Sequence, residues 1–137
     1  MISRILIGIS AAIILFLGGI HLVYTAFTHK LNPAEAQLET VMRRTPMRIS
    51  AETTMWRAWI GFNFSHSFAL ILFSLVFGYL VICRWEVLDT SNFLSILGLL
   101  ALLVYVVLAR VFWFRAPFIG VCCALLLYVA GLFSRLH

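Results

Sequence analysis

The sequence predicts an all-α integral membrane protein: a four-helix bundle with a short amphipathic interfacial helix between its first and second spans. Three observations lead there. Of the 137 residues, 64% are hydrophobic and 11% charged, against about 25% charged in soluble domains. Four apolar stretches, about 5–25, 56–83, 92–114 and 117–134, can each cross a hydrocarbon core about 30 Å thick at ~1.5 Å per residue. Helix start and stop signals fall between these stretches rather than inside them. One transmembrane domain, 1–137, accounts for the whole length.

The first span follows the charged start Met1–Arg4. Its apolar run of about 16 residues before His21 exceeds the roughly 7–15 of a signal peptide, and no small-x-small site follows it. It therefore reads as a retained span. Gly18 and Gly19 near its far end would let a neighbouring backbone approach closely.

Residues 26–55 form a polar connection. Asn32-Pro33-Ala34-Glu35 reads as an N-cap, a first-turn proline and an acid three residues after the cap. Leu38, Val41 and Met42 make an apolar stripe, and Glu39 and Arg43 form an i, i+4 pair. Arg43 and Arg44 suit the C-terminal end of the helix dipole, and Pro46 stops the helix. A helix over about 33–44 would lie at the interface or cap the bundle. A plain connecting helix with a solvated face is the alternative.

The second span has a start signal at Ser50-Ala51-Glu52 or at Thr53–Thr54. Trp56 and Trp59 mark one interface and Arg84-Trp85-Glu86 the other. Asp89, Thr90 or Ser91 can cap the third span, whose middle carries only Tyr105 as a polar handle. Arg110 and Arg115 bracket Phe112-Trp113-Phe114. Pro117 suits the first turn of the fourth span, making the last two helices a tight antiparallel hairpin. Arg135 and His137 then sit at the closing interface.

The formal charge of +5 contains no run of five or six like charges, which argues against a nucleic-acid partner. In a membrane protein such a bias reflects topology and anionic headgroups. The expected partners are membrane lipids, other membrane subunits or a second copy of the chain. Cys83, Cys122 and Cys123 form no CxxC pair, so thiol redox and zinc chemistry are not expected. The termini and the 84–91 loop carry Arg4, Arg84 and Arg135. The other side carries Lys30, Arg43, Arg44, Arg48, Arg57, Arg110 and Arg115. The positive-inside rule places that richer side in the cytoplasm.

Polar residues concentrate at the same end. His21 and Tyr24 close the first span. Arg57, Trp59, Asn63 and His66 open the second, with Trp59, Asn63 and His66 on one helical face as i, i+4 and i+7. Arg110 ends the third span and Arg115 follows it. Polar groups in hydrocarbon are costly, so these eight residues are expected to line a one-sided polar pocket between the first three helices. The other leaflet offers only Ser74, Tyr79, Asn92 and Ser95. The same asymmetry would arise if the polar side chains merely satisfied one another, at about 0.6 kcal/mol per pair.

Three chemistries are open to the two histidines. They could ligate a haem between two helices, but counted from the helix ends their depths differ by several ångströms at ~1.5 Å per residue. A metal ion would lack an intramembrane carboxylate to accompany the imidazoles. In the second chemistry, His66, Asn63 and Tyr24 could hydrogen-bond a quinone carbonyl, or Arg110 or Arg115 could hold an anionic headgroup such as a phospholipid phosphate. In the third, both histidines are neutral and hold helices together. Catalysis is not expected, since paired carboxylates, a nucleophile-plus-base spacing and a phosphate loop are all missing. Ser65-His66-Ser67 places its members about 100° apart around the helix.

Three motifs carry a resemblance: Gly18-Gly19-x-His21, Trp56-x-x-Trp59-x-Gly61-Phe62-x-x-Ser65, and Arg110-Val-Phe-Trp-Phe-Arg-Ala-Pro117. Together they resemble small four-helix bacterial membrane proteins similar to the DoxX-like group. The resemblance implies a four-helix inner-membrane bundle. Some DoxX-type proteins are subunits of quinone-linked oxidoreductases, which adds to the quinone option by fold-level analogy.

Overall fold

The structure, a computed structural model, describes residues 1–135, so the expectation for His137 lies outside the described residues. The elements are α1 (Ile2–Phe27), α2 (Ala36–Arg44), β1 (Pro46–Met47), β2 (Ser50–Thr54), α3 (Met55–Cys83), α4 (Trp85–Thr90), α5 (Asn92–Phe112) and α6 (Arg115–Phe133). The fold is all-α. Four helices, α1, α3, α5 and α6, are long and apolar enough to cross a membrane, and the chain is a multi-pass membrane protein. Their ends depart from the expected spans by up to three residues, within the ordinary fraying of helix termini.

The connection differs more from expectation. α2 begins at Ala36, not at residue 33, and Asn32 does not cap it. The Asn32 amide instead donates to Glu39 Oε2 at 2.9 Å, while Arg43 holds Oε1 of the same carboxylate at 2.7 Å. Bonds to an ionised carboxylate are the stronger kind, and these two hold the Asn32 side chain on Glu39. The Glu39–Arg43 pair stands where the spacing placed it. The helix ends at Arg44, before Pro46.

Residues 46–54 form a small antiparallel hairpin that the sequence reading did not anticipate, with Pro46 opposite Thr54 and Met47 opposite Ser50. A two-residue strand is too short to show a period-2 pattern, and Pro46 suits an edge because it has no N–H to donate. Of the two start signals for α3, Thr53–Thr54 operates: Thr54 Oγ1 accepts the Arg57 N–H at 3.3 Å. Ser50–Glu52 is extended instead. The 84–91 loop also contains the short α4, which buries Leu88. Ser91 is the residue that caps α5, accepting from the Leu94 N–H at 3.2 Å. Pro117 is the third residue of α6, where the N–H that it lacks would have no intrahelical partner.

The chain forms two compact units. The first comprises Met1–Leu17 and the chain from Leu70 onward, so all four long helices contribute to it. Its core is built on seams with three- and four-residue spacing: Ser3, Ile7, Ser10 and Ile14 on α1; Leu70, Ser74, Phe77 and Val81 on α3; Ser95, Gly98 and Leu102 on α5; Val121, Ala124, Tyr128 and Gly131 on α6. Ser10 donates to the Ala124 carbonyl at 2.7 Å and Tyr128 to the Ser95 carbonyl at 3.2 Å. Small residues set the helix separations: a Cβ on Gly131 would lie 2.7 Å from Ile7 Cγ1. Gly19, expected to permit such an approach, has nothing within 4 Å of an added Cβ.

Two arginines close the same unit. Arg4 donates to the Val81 and Ile82 carbonyls, both at 2.6 Å, satisfying acceptors in the last turn of α3 that helix geometry leaves open. Arg135 donates to the Leu88 carbonyl at 3.2 Å and to Ser95 Oγ at 2.8 Å, and its guanidinium lies 5.1 Å from the Trp85 ring. The second unit, Gly18–Ala69, holds the end of α1, the connection with α2 and the hairpin, and the start of α3.

Candidate functional site

The second unit contains six of the eight residues expected at a polar pocket: His21, Tyr24, Arg57, Trp59, Asn63 and His66. Asn63 is its centre. Its side chain is on the inward seam of α3 and only 5% exposed. Its Nδ2 donates to the Trp59 carbonyl at 2.8 Å, and Ser67 Oγ donates to the Asn63 carbonyl at 2.9 Å. These i to i−4 bonds are the usual way for a short polar side chain to satisfy itself on a helix without water. The Asn63 side chain lies beside His21 of α1 within this unit.

The two imidazoles meet. The His21 and His66 ring centroids are 5.2 Å apart with an interplanar angle of 84°. Phe62 stacks on the other imidazole, with 6.4 Å between the Phe62 and His66 centroids and 18° between planes. Axial histidines of a haem face each other across the macrocycle. An edge-to-face contact at 5.2 Å leaves no room for a macrocycle between these two rings. Among the described residues no three of His, Cys, Asp and Glu come together as a metal site would require.

The flanking residues are held by other contacts. Trp59 Nε1 donates to the Leu31 carbonyl at 3.0 Å, fixing the connection against α3. Lys30 Nζ lies 4.2 Å from the Tyr24 ring centroid, and Thr28 Oγ1 donates to the Tyr24 carbonyl at 2.9 Å. Arg43 lies 4.3 Å from the Trp56 ring, a cation–π contact. Arg57 is exposed. Ser65 Oγ donates to the Gly61 carbonyl at 2.9 Å, as Ser67 does to Asn63, so both hydroxyls of the Ser65-His66-Ser67 string turn back onto their own helix.

Arg110 and Arg115 belong to the first unit, where they line a cleft of about 300 Å³ with Ala109, Trp113, Phe114 and Phe118. The eight residues thus fall into two sets, six in one unit and two in the other. Phe62 and Ser67 join the cluster although the sequence reading did not place either of them in the pocket. Their signal was the spacing, Phe62 four before His66 and Ser67 four after Asn63. Comparison with known protein families, with curated proteins and with solved structures finds no match to this chain.

Proposed function

We propose that this chain is a non-catalytic accessory or binding protein of a bacterial inner membrane, similar in kind to the DoxX-like group. Its binding element is the His21–Asn63–His66 cluster. The observation that carries the reading is a buried asparagine beside two touching imidazoles, inside helices apolar enough to cross a membrane. Such groups in hydrocarbon are retained for a purpose. Asn63 serves the helix pair, and the two half-buried imidazoles bring to it the ring type that hydrogen-bonds a small carbonyl-bearing molecule. The aromatic ring stacked on His66 favours a planar ligand such as a quinone, and the chain would then serve a redox system as a subunit.

Mass spectrometry of lipid-soluble molecules extracted from protein purified in mild detergent tests this directly. A quinone or comparable carbonyl compound is expected in wild type and at least tenfold less of it in His66→Ala. If nothing binds reproducibly, the ligand reading fails and the histidines are helix staples only. A Soret band in the absorption spectrum that disappears in His66→Ala would replace the quinone with a haem held on a single histidine.

Orientation follows from the charge count, with the second unit's connection in the cytoplasm. Ile49 at the hairpin tip is 87% exposed and offers a probe. In a variant lacking the native cysteines, Ile49→Cys is expected to resist a membrane-impermeant maleimide in intact cells and to react after permeabilisation. Labelling of intact cells would reverse the orientation.

A further inference from the structure

We infer that the α5–α6 turn is a binding site for the phosphate of an anionic phospholipid, separate from the histidine cluster. Arg110 ends α5 and Arg115 begins α6, and both line the cleft of about 300 Å³ with Trp113, Phe114 and Phe118. Neither guanidinium makes an ion pair or side-chain hydrogen bond among the described residues. The other arginines of this unit with described contacts, Arg4 and Arg135, are engaged with carbonyls, a hydroxyl and Asp89.

The acids of this unit are Glu86 and Asp89, and both precede the opposite end of α5. That helix has 21 residues, so about 30 Å separates its two ends at ~1.5 Å per residue. Among the described residues of their own unit, the two positive charges therefore have no anion to neutralise them. They lie at the end of a helix that matches the thickness of a bilayer core, the depth at which lipid phosphates occur. Guanidinium groups pair with phosphate oxygens in fork geometry, and basic pockets beside transmembrane helices take anionic headgroups. Phe114 and Phe118 supply an apolar wall for the glycerol and upper acyl chain. Phe114 is 70% exposed, as a wall shared with lipid would be. The first turn of α6, which has no side-chain cap, adds a favourable dipole end without being needed for the inference.

The test is native mass spectrometry of the whole chain released from nanodiscs of phosphatidylcholine with one-fifth phosphatidylglycerol. Wild type is expected to retain phosphatidylglycerol preferentially. Arg110→Gln with Arg115→Gln is expected to lose that preference by about thirtyfold, from roughly one unit of free energy per arginine near the surface. Arg44→Gln with Arg48→Gln, which removes the same charge from the second unit, is expected to keep it. Equal retention by wild type and the Arg110/Arg115 variant, or equal loss in both double variants, would overturn the site. Full displacement of phosphatidylglycerol by millimolar inorganic phosphate would assign the cleft to free phosphate and overturn the lipid. Melting temperature in the same detergent distinguishes a lost site from a lost fold. Should the double variant fail to fold, Arg110→Lys with Arg115→Lys keeps the charge without the fork and is expected to weaken retention by a smaller factor; unchanged retention would then overturn the assignment.

Discussion

Gly98→Ala is expected to destabilise the protein by about 1–3 kcal/mol, the usual cost of an overpacked core. A Cβ at this position would lie 2.6 Å from Tyr128 Cζ and 2.8 Å from Phe77 Cε1, and closer still to the Tyr128 hydroxyl. Tyr128 is 1% exposed, and its hydroxyl is bonded to the Ser95 carbonyl, so the ring has nowhere to retreat. Helix propensity acts the other way, favouring alanine over glycine by about 1 kcal/mol. Overpacking should win because the blocking atoms belong to a pinned aromatic ring rather than the free end of a flexible chain. The measurement is the apparent Tm in detergent. Tyr128→Phe removes the closest atom and should recover part of the loss, giving a coupling of at least about 0.5 kcal/mol in the double-mutant cycle. An unchanged or higher Tm for Gly98→Ala would mean that propensity governs and that α5, α6 and α3 are not packed this tightly.

Asn63→Leu is expected to have the second largest effect, a loss of about 1–2 kcal/mol together with loss of the extracted ligand. The lost interactions are the Asn63 amide's bond to the Trp59 carbonyl and its polar contact with His21. Interhelical polar contacts in membranes average about 0.6 kcal/mol and reach about 1.7, and a buried partner left behind raises the cost. Leucine keeps the branched outline of asparagine and leaves no cavity, so the change reports the loss of the polar group. Asn92→Leu is the comparison. Asn92 is exposed at the first position of α5 and should change stability by less than about 0.5 kcal/mol. Equal effects of the two variants, on both Tm and ligand retention, would remove the special role given to Asn63.

Much of the fold was legible in the sequence because its signals are local. Hydropathy and length marked the four spans. Ser91 before α5, Thr54 before α3 and Pro46 after α2 are each read within one helical turn. The Glu39–Arg43 pair is likewise a matter of spacing. The misses are local features overridden by a neighbour. Asn32 looked like a cap, but its amide is turned to the Glu39 carboxylate and the helix starts later, at Ala36. The hairpin over residues 46–54 is too short to carry a periodicity. Of the candidate site, the residue types were legible, while their grouping was not. His21 and Asn63 are 42 positions apart in sequence, and nothing local to either announces the contact.

By itself the sequence determined that this chain crosses the membrane, where each crossing starts and stops, and that its polar groups gather toward some helix ends. Both properties follow from transfer free energies and capping chemistry that act over a few residues. Only the tertiary structure decided which face of each span turns inward. Hydropathy is nearly even around α3 and α6, and lipid is as apolar as leucine, so no hydrophobic contrast selects a face. The choice falls to close packing at Gly98 and Gly131 and to hydrogen bonds such as Ser10 to Ala124. The same kind of contact brings His21 against His66, an arrangement that exists only once the two helices are packed.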